Sequence, residues 1–142
     1  MRVIAILIFL SFLLACKHTP QIAEGLPAGF EEFYQKFHED SLYQIEHILF
    51  PLSGLPDNAY NKNMDPDTFR WQKNDWVMHH PYKEGETVFE RQFNPVTNDL
   101  VEEVFRSKDQ GFAMVRRFAR SGGEWHLIYY AGMNPVKPGG NK

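Results

Sequence analysis

Tyr34 and His38 stand four positions apart in a run with helical spacing, so a phenol and a titratable imidazole share one face. Inside an apolar cavity such a pair would suit acid–base chemistry on an enolisable substrate. The plainer reading, a core tyrosine with a histidine at the rim, is preferred. Chemistry of that kind also calls for a carboxylate projecting from the strands, and no Asp lies centrally in the strand-like runs. Glu90, Glu102 and Glu103 are the carboxylates on offer there, and strand glutamates ordinarily face water. Arg116 interrupts the alternate-residue face of Phe112, Met114 and Phe118, and Arg91 sits between Phe89 and Phe93 in the same way. Each would place a guanidinium among apolar neighbours, where it would hold a ligand carboxylate, pair with an internal Glu or snorkel to solvent. The internal pair or snorkelling is preferred over the ligand.

The remaining histidines are weaker candidates. His38 and His47 would meet across a helix junction, but two ligands without a third do not make a metal site. His79 and His80 are adjacent, so in an extended segment they project to opposite faces, and no metal site is expected. Tyr129 shares an alternating face with Trp125 and Leu127 and completes a candidate pocket of Tyr34, His38, His47, Arg91, Arg116 and Tyr129, with no catalytic residue assigned. No G-x-S-x-G, P-loop or G-x-G-x-x-G run occurs, so no cofactor is expected.

Elements that would position these groups follow from periodicity. Phe30, Phe33, Tyr34 and Phe37 occupy one stripe of a first helix. Ser41 with Gln44 reads as the capping box of a second helix, whose apolar face is Leu42, Ile45, Ile48 and Leu49 and which Pro51 stops. The stretch 53–66, rich in Asn, Asp, Gly and Pro, reads as a long loop. Residues 68–72 alternate like a strand, and Asp75 is placed to cap a helical turn through Trp76, Val77 and Met78. Four strand-like runs follow, at 86–93, 100–106, 111–119 and 124–131, as an antiparallel meander, and a frayed tail is expected over 134–142. Helices followed by strands predict an α+β domain with a bent sheet wrapped on the first helix.

The chain of 142 residues holds one domain, with 15 basic and 18 acidic residues giving a formal charge of −3. No basic field exists to neutralise phosphates, so nucleic acid is not expected as a partner. Cys16 is the sole cysteine, which excludes intramolecular disulfides and multi-cysteine metal sites.

Cys16 closes an apolar segment, Val3 to Leu14, behind Met1 and Arg2, too short to span a bilayer and proportioned as a signal peptide. Its end, Leu13-Leu14-Ala15-Cys16, resembles a bacterial lipobox, with Leu14 larger than usual. The resemblance implies cleavage after residue 15, acylation of Cys16 and attachment to a membrane by two or three chains. Residues 16–27 then form the lipidated cysteine and tether. Lys17, in place of an aspartate, points to the outer membrane of a bacterial envelope. Cleavage removes only Arg2 among charged residues, so the mature domain is acidic.

Phe33, Phe37, Asp40, Tyr43-Gln44, His47-Ile48 and Phe50-Pro51-Leu52 resemble the F-x-x-F, D, FQxxRIxFPL pattern of the DUF4348 family, with His47 where that pattern has an arginine. Gly123 to Tyr130 is similar to the closing strand of many NTF2-like domains. The resemblance implies an NTF2-like (cystatin-like) cone over residues 28–133, used by some members as an enzyme and by others to bind. It supplies no catalytic residues. The expected function is a non-catalytic module for a small apolar or amphipathic ligand or a protein partner, a homodimer included. The alternatives are an isomerase or hydrolase using the His/Tyr pocket, and a structural envelope module.

Overall fold

The computed structural model describes residues 25–83, 85 and 88–136; the expected signal segment, Cys16 and most of the expected tether lie outside the described residues. Helix α1, Phe30–Glu39, follows Gly29, which adopts φ 78° at its N-cap. Glu31 and Glu32 lie in its first turn and Lys36 in its last, the arrangement that a helix dipole favours. Phe30, Phe33, Tyr34 and Phe37 are buried as the periodicity predicts, and His38 joins them.

Helix α2 is Ser41–Glu46, shorter than expected and capped differently. Asp40, not Ser41, is its cap, and its carboxylate accepts from the backbone N–H groups of Leu42 and Tyr43 at 3.0 Å. The proposed apolar face fails. Leu42 is 76% exposed, whereas Gln44 is buried. Ile48 and Leu49 belong instead to β1, Ile48–Leu55, because the Leu127 N–H donates to the His47 carbonyl at 2.8 Å and draws the chain into a parallel ladder. Long-range pairing overrides a local helical pattern here.

β1 is followed by β2 (Arg70–Trp71), β3 (Phe89–Thr97), β4 (Leu100–Ser107), β5 (Phe112–Ser121) and β6 (Glu124–Pro135). One sheet results, in the order β2-β1-β6-β5-β4-β3, with β1 parallel to β6 and every other neighbour antiparallel. Six strands replace the four expected. The added pair, β1 and β2, comes from segments read as helix, loop and weak strand. Asp75 closes a short 3-10 turn (Lys73–Asp75), and the chain beyond it is extended rather than helical. The expected loop 53–66 likewise begins as strand and holds a 3-10 turn at Ala59–Lys62.

The core lies between α1 and the concave face of the sheet. Phe30 makes edge contacts with Phe93, Phe118 and Trp125 at centroid separations of 5.9, 5.6 and 5.0 Å, and Phe37 meets Phe118 at 5.6 Å. Burial of such rings is the main stabilising term. Leu55, Ala59 and Ala131 form a smaller cluster on the opposite face, with Met64, Val115 and Tyr129 packed on it. Asn134 does not fray. It is buried in β6, accepts from the Ala59 N–H at 2.8 Å and donates to the Pro56 carbonyl at 2.9 Å, so the ordered domain extends past residue 133.

A bulge in β6 decides which tyrosine enters the cone. Phe118 pairs with Leu127 and Arg116 pairs with Tyr130, so Ile128 and Tyr129 together oppose the single residue Arg117. One extra residue reverses the alternation beyond it. Tyr130 therefore takes the concave side, and Tyr129 moves to the outer cluster beneath Arg117, whose guanidinium lies 4.9 Å from its ring.

Candidate functional site

Arg116 projects from the middle of β5 to the concave face and is 3% exposed. Directly opposite on β4 is Glu103, 0% exposed, which shares its face with Val101 and Phe105. Arg116 Nε and Glu103 Oε2 approach to 2.7 Å. The N–H is not aligned on that oxygen, so the contact is an ion pair rather than a directed hydrogen bond, and neither atom has another hydrogen-bond partner. Glu102, the next residue, faces outward and pairs with Arg117 at 2.8 Å.

α1 delivers two more groups. The Tyr34 hydroxyl donates a short hydrogen bond to Glu103 Oε1 and accepts from Arg116 Nη2 at 3.2 Å. His38 receives Arg116 Nη1 on its Nε2 at 2.7 Å, and its Nδ1 lies 2.8 Å from the Tyr34 carbonyl. A fifth residue comes from the extended segment after Trp76: His79 Nδ1 lies 3.1 Å from Arg116 Nη1. That segment is held by Gln44, whose amide acts as a buried strand edge. Gln44 donates to the carbonyls of Phe37 and His79 at 2.6 and 2.8 Å, and accepts from the His79 N–H at 2.8 Å and the Trp76 indole at 3.1 Å.

The electrostatics follow from this packing. Burial pushes the Tyr34 hydroxyl well above its ordinary range, with Glu103 adding to the effect and Arg116 opposing it. Burial and then the Arg116 charge lower His38 to about 3 and His79 to about 2, so both imidazoles are neutral. Burial alone would disfavour the Arg116 charge, but Glu103 holds the guanidinium above its usual range. Glu103, Arg116, Tyr34, His38 and His79 thus form one connected cluster of donors and acceptors.

Of the six pocket candidates, the structure brings Tyr34, His38 and Arg116 together. Arg91 lies at their edge, stacked 5.1 Å from the rings of Tyr82 and Phe93 and 6.0 Å from Tyr34. His47 is elsewhere. It stacks on Tyr43 at 3.7 Å and on His126 at 5.5 Å, while its Nδ1 lies 2.8 Å from the Tyr43 carbonyl. Tyr129 is lost to the bulge described above. Glu103 and His79 take their places: Glu103 faces the core rather than the water expected for a strand glutamate, and His79 meets Arg116 rather than forming half of a metal pair. The signal for Glu103 was its register, because folding β4 onto β5 about the 108–110 turn sets it opposite Arg116. His79 carried no such signal, since Gln44 fixes it over a sequence separation of 35. Among the described residues no group of three or more His, Cys, Asp and Glu could hold a metal, and no helix is long and apolar enough to cross a membrane.

Beside the cluster opens a cleft of about 470 Å³ lined by Met78, Pro81, Tyr82, Phe105, Met114 and Tyr130, together with His79, His80, Lys83 and Arg116. The aromatic core between α1 and the sheet is filled by side chains, and Arg116 belongs to the lining of the cleft beside it.

No family model matches the sequence, and no curated protein matches it. Among solved structures, the chain is similar to an NTF2-like protein from Bacteroides fragilis NCTC 9343, with a TM-score of 0.51 and 20% identity over 78% of this chain and 49% of that one. The chain spans about half the length of that protein. The likeness supports an NTF2-like α+β fold and stops there.

Proposed function

We propose that this chain is a lipid-anchored envelope protein of the DUF4348 kind, whose NTF2-like domain binds a small apolar or amphipathic ligand without catalysing a reaction. One observation carries the non-catalytic reading. Within the cluster the lone pairs and the phenol proton that could serve acid–base chemistry are turned on one another: His38 Nε2 and His79 Nδ1 face Arg116, and the Tyr34 proton is committed to Glu103. A general base needs a free lone pair within reach of the substrate, and the cluster presents none. The cleft supports binding, because it joins apolar walls to a polar floor, as small-molecule sites do.

A mixed set of small amphiphiles should yield at least one binder that shifts the Met78 and Met114 methyl resonances. A set without binders, or binders that leave both methyls unmoved, would remove the ligand reading. The anchor rests on the sequence Leu13-Leu14-Ala15-Cys16. Cys16→Ala is expected to abolish acyl labelling and leave unprocessed precursor; an acylated mature form of that variant would overturn it.

A further inference from the structure

Arginine never gives up its proton, so Arg116 acts as donor in every contact it makes. Its Nη1 faces His38 Nε2 and His79 Nδ1, and both atoms must therefore present lone pairs. Each neutral ring then carries its hydrogen on the other nitrogen. For His38 that is Nδ1, which donates to the Tyr34 carbonyl. For His79 it is Nε2, which has no acceptor among the described residues. Arg116 Nη2 spends one hydrogen on the Tyr34 hydroxyl, and its second has no acceptor among the described residues either.

Both residues line the same cleft. With the Arg116 Nε–H set aside, because it lies against Glu103, two N–H groups are left for an occupant to satisfy, beside the apolar surfaces of Met78, Phe105 and Met114. Of the lining residues Lys83 and Arg116 are basic and none is acidic, although the whole chain carries a formal charge of −3. A cationic head would meet donors and a guanidinium. A neutral hydroxyl would fill one donor and leave the other. A dianion would ask for more positive charge than the floor offers, because Arg116 is already paired with Glu103. A carboxylate has one charge and two acceptor oxygens, which matches the two donors.

We infer that the cleft takes an amphipathic monocarboxylate, its head held by the N–H groups of Arg116 and His79 and its apolar body laid on Met78, Phe105 and Met114. The inference rests on the ligand-binding reading and names the class of ligand.

The test is calorimetric titration of the full chain, as cells process it, in lipid nanodiscs at neutral pH, with empty nanodiscs as the blank. The probes are octanoate, 1-octanol, octylamine and octyl phosphate. Octanoate should bind at least tenfold more tightly than the other three. His79→Phe should bring its advantage over octanol below threefold while octanol binding is retained, and His79→Gln, which keeps an amide donor, should restore most of it. If octanol, octylamine or octyl phosphate binds the wild-type chain as tightly as octanoate, the ligand class is wrong and the binding reading stands. Were no probe to bind at all, both would fall. The wild-type series decides this even if the His79 variants fold poorly.

Discussion

Arg116→Leu is expected to lower folding stability by about 3 to 5 kcal/mol, the cost of leaving a buried charge without its partner. Glu103 is fully buried and has two charge-satisfying neighbours, the Arg116 guanidinium and the Tyr34 hydroxyl. Removing the guanidinium strands the carboxylate and also deprives His38 and His79 of their donor. Leucine replaces much of the lost volume, so the loss reads the charge and not a cavity. The double variant Arg116→Leu/Glu103→Leu should recover at least about 1 kcal/mol relative to Arg116→Leu, because it removes the stranded charge as well. It should not return to wild type, since Tyr34 loses both hydroxyl partners. Urea titrations of the three variants measure this. An Arg116→Leu protein within about 1 kcal/mol of wild type would mean that Glu103 has another partner.

Acid should weaken the fold well before the carboxylates of an ordinary protein respond. His38 and His79 have ordinary values of 6.5 that the folded state lowers to about 3 and about 2. Their neutral forms contribute fully above pH 6.5. As pH falls below that value, the unfolded chain binds protons that the folded chain refuses, so stability drops with falling pH. Each histidine contributes a slope approaching about 1.4 kcal/mol per pH unit until the folded-state values are reached. The window from about pH 6 to pH 5 isolates them, because unperturbed carboxylates titrate lower. His38→Asn, whose amide can still donate to the Tyr34 carbonyl, should flatten the wild-type slope in that window while lowering stability at neutral pH. A wild-type melting temperature unchanged between pH 6.5 and 5 would contradict the neutral state of both rings.

The first helix was legible because its stripe obeys a local rule: Phe30, Phe33, Tyr34 and Phe37 fall on one side of any helix laid through them. β3 to β6 were legible as strands for the same reason. What escaped were features set by distant partners. Ile48 is drawn out of a helical pattern by Leu127, and Tyr130 is turned inward by one inserted residue that no alternation count reveals. Of the site, Tyr34, His38 and Arg116 could be read from apolar surroundings that made a polar group conspicuous. Glu103 was equally conspicuous once matched to Arg116 in register. His79 depends on a buried amide in α2, and periodicity says nothing of such a tether.

The central claim is that Tyr34, His38, His79 and Glu103 form one network around Arg116 that supports the cleft and holds no free base within itself. Its most direct measurement is the imidazole ¹⁵N spectrum of the full chain at pH 5. The account predicts two neutral rings: His38 with its hydrogen on Nδ1 and His79 with its hydrogen on Nε2. Protonation of either ring at that pH, or the opposite tautomer at His38, would break the network and return the pair of Tyr34 and His38 to the list of candidate acids and bases.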